Sequence, residues 1–157
     1  MKLFVSCIVL FTSIGANIAS NLELTEVRSL YYASAEDFTS AKKFVERVQD
    51  ITAQSQAVLQ GYKGMGFMLL SKHKSNPFEK LNYFKQGTAW LESAIKQDSS
   101  NIELIFLRYT IQTNAPFFLG YSSNIHADLG LLRRSVRYMK DEDLQQRISE
   151  YISIQDI

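Results

Sequence analysis

The chain has 157 residues, of which 46% are hydrophobic and 12% aromatic. This composition excludes an intrinsically disordered protein and is sufficient for one domain with a hydrophobic core. The formal charge of +1 argues against a general affinity for nucleic acid or for an anionic membrane surface.

Residues 1–20 have the pattern of a secretory signal peptide. Lys2 gives the positive start, residues 3–14 form an apolar run, and residues 15–20 offer small side chains for cleavage. An uncleaved anchor is the alternative, although the run is short for a membrane span. The pattern predicts an exported protein, periplasmic or extracellular, with no membrane span after cleavage. Cys7 would leave with the signal peptide, so the mature chain would fold without disulfides.

Two amphipathic helices are predicted after the signal peptide, because apolar residues recur at steps of three and four. The first covers residues 22–34, with Thr25 as a candidate cap. The second begins near Ser34 and Asp37. Its buried face would carry Phe38, Ala41, Val45, Val48 and Ile51.

A third helix is predicted from residue 57 to about residue 74. It contains Gly61, Gly64 and Gly66, which invite comparison with a phosphate-binding loop. The spacing and the preceding strand of such a loop are missing. The glycines therefore predict a close approach between two helices.

Residues 76–121 read as a helical hairpin against which we expect the rest of the chain to pack. Asn76 can cap its first helix, proline follows, and Glu79 completes a capping box. The residues from Ser100 to Glu103 form a second capping box at the start of the next helix. The inner face of the first helix would carry Leu81, Phe84, Thr88, Leu91 and Ile95.

The hairpin also carries a family resemblance. Residues 94–103, with the sequence AIKQDSSNIE, resemble the junction between consecutive tetratricopeptide repeats. Segments 62–64, 76–81 and 115–121 are similar to uncharacterised, exported, all-helical proteins of Bacteroidota. These resemblances imply an irregular tetratricopeptide-like array of antiparallel helices in an exported protein, and they imply no particular activity.

The hairpin ends at an aromatic segment after Pro116. Phe117, Phe118 and Tyr121 either form a plug that seals the core or line the lip of a binding groove. The plug is favoured because large apolar residues are usually buried. Two further helices follow, the first capped by Ser123 or Asn124 and the second by Asp141. The prediction is an all-α protein of about six to seven helices, with residues 21–157 as a single domain.

One polar set suggests a site. Arg108 and Gln112 lie one turn apart in an otherwise apolar helix, and Asp128 and Glu103 are candidate partners for the arginine. A structural network that pairs Arg108 with Asp128 is the simpler interpretation, because a buried charge must be paired. A site for a small polar ligand is the alternative.

The sequence favours a non-catalytic binding or assembly module for a peptide or protein partner, by analogy with curved helical arrays. Two alternatives remain: a small envelope hydrolase that uses Glu79, Glu92 or Glu103, and a carrier of an apolar small ligand. We expect no cofactor and no metal, since the two histidines, His73 and His126, lack ligand spacing and the mature chain has no cysteine. The candidate partner-binding residues are Tyr62, Arg108, Phe117, Phe118 and Tyr121.

Overall fold

The computed structural model describes residues 23–155, and this part of the chain is helical and contains no strand. The all-α prediction is confirmed. The helices are α1 (residues 23–33), α2 (Phe38–Gln49), α3 (Ala57–His73), α4 (Pro77–Gln97), α5 (Ile102–Asn114), α6 (Ile125–Ser135) and α7 (Glu142–Gln155), with 3-10 turns at Phe117–Leu119 and Val136–Tyr138. The predicted signal peptide lies outside the described residues.

The chain divides into a first compact unit that ends at Asp50 and a second that runs from Ile51 to Ile157. The single domain and the tetratricopeptide-like array stay predictions. In the first unit Asp37 caps α2 as predicted, since its carboxylate accepts the Ser40 N–H at 2.9 Å. Thr25 lies within α1 and does not begin it.

The buried face of α2 differs from the prediction at its start. Phe38 is 70% exposed, and Phe44 is fully buried in its place. Ala41 and Val48 are buried as expected. The spacing of apolar residues allowed either phenylalanine on the buried face. Packing within the folded unit determines which of the two is buried.

In the second unit α3 packs more extensively against α4 than α5 does, so α3 and α4 form its central pair. The two helices are antiparallel: Gln60 and Gln97 exchange amide hydrogen bonds of 3.1 and 3.0 Å near one end. At the other end Ser71 Oγ donates to the Lys80 carbonyl at 2.8 Å. The predicted hairpin of α4 and α5 is therefore one part of the packing and is not its centre.

Gly64 and Gly87 lie where α3 and α4 cross most closely. A Cβ atom placed on Gly64 would stand 2.6 Å from the Gly87 carbonyl oxygen, and one on Gly87 would stand 2.7 Å from the Gly64 oxygen. Only glycine fits at both positions, and the packing interpretation of the α3 glycines is confirmed. The buried face of α4 consequently centres on Gly87 and Leu91. Leu81, predicted to face inward, is 38% exposed.

Helix α5 is buried on several sides. Asn101 caps it by accepting the N–H groups of Glu103 and Leu104, so the predicted capping box from Ser100 is wrong by one residue. On its other side the ring of Tyr151 from α7 stands edge-on to Phe106, at 5.6 Å between ring centroids. The buried apolar residues of α5 are Leu104, Ile105, Phe106, Leu107 and Tyr109.

Candidate functional site

Within the segment between α5 and α6, residues 116–120 form what we call the aromatic turn. Ala115 ends α5 in extended geometry because a proline follows it. The turn then closes on itself: the Leu119 N–H donates to the Pro116 carbonyl and the Gly120 N–H donates to the Phe117 carbonyl, both at 3.0 Å. Gly120 has a φ of +64°, a left-handed conformation that favours glycine.

The two phenylalanines of the turn face solvent. Phe117 is 90% exposed and Phe118 is 84% exposed. The plug interpretation is therefore wrong. The rings are not needed to close the turn, because its hydrogen bonds lie within residues 116–120, and Tyr121, which follows, is the aromatic residue that packs inward.

A polar cluster lies beside the turn and consists of Glu92, Arg108, Gln112, Tyr121 and Asp128. Its centre is Arg108, whose Nε and Nη2 donate to the two Asp128 carboxylate oxygens at 2.8 and 2.7 Å. Arg108 Nη1 donates to Glu92 Oε2 at 3.1 Å. Two parallel bonds of this kind between guanidinium and carboxylate fix the geometry as well as the charge. One arginine thus joins α4, α5 and α6.

Gln112 and Tyr121 connect this cluster to the chain on the far side of the aromatic turn. Gln112 Nε2 donates to Asp128 at 3.2 Å, while its oxygen accepts the Asn124 N–H at 3.1 Å. The Tyr121 hydroxyl donates to Glu92 Oε1 at 2.5 Å, and its ring stands edge-on to Phe84 with 5.9 Å between centroids. The residues that leave the turn are therefore held at two points.

The cluster is electrostatically stabilised. Hydrogen bonding to Asp128, together with the charges of Asp128 and Glu92, outweighs partial burial and raises the pKa of the Arg108 guanidinium. Burial and the hydrogen bond to Glu92 raise the pKa of the Tyr121 hydroxyl. The Asp128 side chain is only 3% exposed and the Arg108 side chain 12%. These contacts satisfy the guanidinium from within the protein, which favours the structural interpretation of the network.

Sequence reasoning identified Arg108, Gln112 and Asp128, and the structure brings them together. It named Glu103 as a second partner of Arg108, and this is wrong, because Glu103 accepts the Tyr62 hydroxyl at 2.6 Å. The second partner is Glu92. The signal for it was available, since Glu92 and Arg108 lie on either side of the short link between two antiparallel helices.

Tyr62 does not belong to an accessible site. Its exposure is 0%, and its hydroxyl is directed to the buried carboxylate of Glu103. A partner cannot contact this side chain in the folded chain, so Tyr62 is withdrawn from the candidate binding residues. Its role is to satisfy Glu103 between α3 and α5.

The three carboxylates of the hydrolase alternative lie with different neighbours. Glu79 is 3.6 Å from Lys74 Nζ, Glu92 binds Arg108 and Tyr121, and Glu103 binds Tyr62. Within residues 23–155 no three side chains of the ligand types His, Cys, Asp and Glu are grouped so as to hold a metal ion. The described helices also include none that is both long and apolar enough to cross a membrane.

Comparisons with protein-family models, curated proteins and solved structures found no match to this chain. Function is therefore argued from the geometry of the aromatic turn and the polar cluster. Of the candidate binding residues, Phe117 and Phe118 are accessible, while Arg108 and Tyr121 are mainly occupied with internal contacts.

Proposed function

We propose that this chain is a non-catalytic, exported binding module that recognises a protein or peptide partner through its aromatic turn. The observation that carries the proposal is the joint exposure of Phe117 and Phe118, at 90% and 84%. Scattered apolar residues on a surface need no explanation, but two adjacent phenylalanines at the tip of an internally bonded turn are unusual. Aromatic side chains presented in this way are typical anchors of protein interfaces.

The charge pattern around the turn supports an apolar contact. Residues 109–127 form a stretch of 19 residues without aspartate, glutamate, lysine or arginine. The charged residues that flank this stretch in the sequence, Arg108 and Asp128, are bonded to each other. Within this stretch a partner would therefore bury the two rings without removing water from a charged side chain, which is a main cost of polar interfaces.

The size of the exposed feature favours a different protein over a second copy of this chain. Two phenylalanine side chains from each of two copies would bury well below the roughly 1,200 to 2,000 Å² of a stable, specific interface. Insertion of the two rings into a pocket of a partner supplies the missing contact area from the partner's own surface. Export is proposed on the separate ground of the signal-peptide pattern in residues 1–20.

The test uses the purified chain as bait for envelope proteins, followed by reconstitution with each purified candidate. Replacing both phenylalanines by serine (F117S/F118S) should weaken the measured affinity by at least about 100-fold, because central aromatic anchors carry most of the binding energy. Phe78→Ser is the matched control. Phe78 is also 84% exposed, but it lies in the first turn of α4.

The two variants give opposite expectations. Binding that survives in F117S/F118S would overturn the proposal, as would an equal loss in the Phe78→Ser control, which would indicate non-specific apolar adsorption. Thermal unfolding of each variant accompanies the affinities. Both should unfold within about 0.5 kcal/mol of the parent chain, since the substituted side chains are exposed.

A further inference from the structure

The aromatic turn poses a physical question, because its own side chains do little to hold it. Phe117 and Phe118 face solvent, and apart from the residues adjoining it in the chain, nothing lies within 4 Å of the position that a Cβ on Gly120 would occupy. Exposed phenyl rings are driven toward any apolar surface within reach. The hydrogen bonds within residues 116–120 fix the shape of the turn, but they do not fix its direction relative to the helices.

The anchors lie on the flanks of the turn. On the entry side the Ala115 N–H donates to the Ile111 carbonyl at 2.8 Å and so closes α5. On the exit side Tyr121 binds Glu92, and the Asn124 N–H binds Gln112. The two exit contacts reach different helices, since Glu92 belongs to α4 and Gln112 to α5. They fix both the direction and the position of the chain after the tip.

We propose that the polar cluster is a latch, in which Tyr121 and Gln112 act as positioning residues that hold Phe117 and Phe118 in solvent. This inference rests on the proposed function for its biological purpose, while the latch itself is a property of the free protein. Arg108 and Asp128 form the fixed part of the device, because their paired bonds are shielded from water. Tyr121 and Gln112 form its connection to the turn. A partner then meets rings that are already ordered, which lowers the entropic cost of binding.

The test measures the exposure of one ring in the free, full chain. Phe118 is replaced by 4-fluorophenylalanine, and the fluorine relaxation caused by a soluble nitroxide is recorded at a temperature well below unfolding. In Tyr121→Phe this relaxation should fall by at least about twofold, because the ring moves out of solvent once the hydroxyl no longer binds Glu92. Gln112→Met, which removes the other contact, should act in the same direction.

Tyr138→Phe is the matched control, since it removes the hydroxyl of a tyrosine that is 85% exposed and belongs to the other 3-10 turn. It should leave the fluorine relaxation unchanged. Amide hydrogen exchange is measured in parallel. In Tyr121→Phe the amides of Leu119, Gly120 and Asn124 should exchange at least about 10-fold faster, while the amides of α3 keep their rates. A purely structural role of Tyr121 would accelerate exchange throughout the second unit and would leave the ring exposed.

Unchanged ring exposure in both Tyr121→Phe and Gln112→Met would overturn the latch, as would accelerated exchange spread through α3 and α4. Neither result affects the proposed function, which fails if F117S/F118S retains the partner or if Phe78→Ser loses it equally. Conversely, if the ring exposure falls as expected but F117S/F118S still binds the partner, the latch stands and the proposed function fails. If the parent chain instead binds phosphatidylcholine vesicles through Phe118, the partner assigned to the turn is wrong.

Discussion

The α3–α4 contact and the polar cluster hold the second unit together by opposite means. At Gly64 and Gly87 two helices approach so closely that a single added carbon atom meets backbone. At Arg108 the helices α4, α5 and α6 are joined by side chains that span the space between them and bind through charge. The first contact depends on the absence of side chains and the second on their length.

The two kinds of contact respond differently to substitution. The close α3–α4 contact is stabilised by dispersion and by the burial of apolar surface, but it tolerates little change in side-chain volume. Paired charges tolerate small shifts of shape, yet they fail when one partner is removed, because the other is left buried and unpaired. The aromatic turn is attached to the polar cluster, where hydrogen bonds fix the orientation of the chain that leaves the turn.

The largest expected effect comes from Arg108→Met. The carboxylate of Asp128 would stay buried without its cation, and we expect a loss of about 3 to 4 kcal/mol in the free energy of unfolding, measured by urea denaturation. The exposed Arg137 provides the control: Arg137→Met should change stability by less than about 0.5 kcal/mol. Equal effects of the two substitutions would show that the cluster does not hold the helices.

Gly64→Ala tests the packed side. The methyl group would overlap the Gly87 carbonyl oxygen, which belongs to the backbone and cannot rotate away, so we expect a loss of about 2 kcal/mol in the free energy of unfolding. Gly130→Ala in α6 is the matched substitution, because there the Cβ would meet only the end of the Arg134 side chain at 3.4 Å. That change should be neutral or stabilise by up to about 1 kcal/mol through helix propensity. A neutral Gly64→Ala would contradict the close contact.

Tyr121→Phe should cost about 1 to 1.5 kcal/mol at neutral pH, the contribution of one hydrogen bond to a partly exposed carboxylate. Its pH dependence sharpens the comparison. The pKa of Tyr121 is raised above its ordinary value of 10.0 in the folded chain, so this contribution is present below pH 10 and is lost as the pH rises further. The stability difference between the parent chain and Tyr121→Phe should therefore shrink above pH 10 in urea titrations. A constant difference would show that the hydroxyl is not held as described.

The sequence predicted some helix caps correctly and missed others: Thr25 lies inside α1, Asn101 caps α5 in place of Ser100, and Asn124 begins α6 without a side-chain hydrogen bond. Asp37, Asn76 and Asp141 cap their helices because each side chain needs only the next three residues to find its bond. The pairing of Arg108 with Asp128 also followed from a general rule, since a charge on a buried helix face requires a partner.

The features that the sequence could not decide depend on contacts between residues that lie far apart in the chain. Tyr62 and Phe117 are both large aromatic residues, yet one is fully buried and the other 90% exposed. Tyr62 meets Glu103 across the α3–α5 contact, whereas Phe117 belongs to a turn whose own hydrogen bonds close within residues 116–120. Periodicity along one helix carries no information about either event.

The contact between Lys63 and Trp90 has a practical consequence. Trp90 is the only tryptophan in the chain, and the Lys63 Nζ lies 4.9 Å from the centre of its ring, across the boundary between α3 and α4. An ammonium group over the face of an indole ring is attracted to it electrostatically. The chain therefore contains a built-in fluorophore for the separation of α3 from α4, and when tryptophan is excited selectively, Phe117 and Phe118 add nothing to its signal. Unlabelled protein can thus report on the α3–α4 contact by fluorescence, while the fluorine label reports on the aromatic turn.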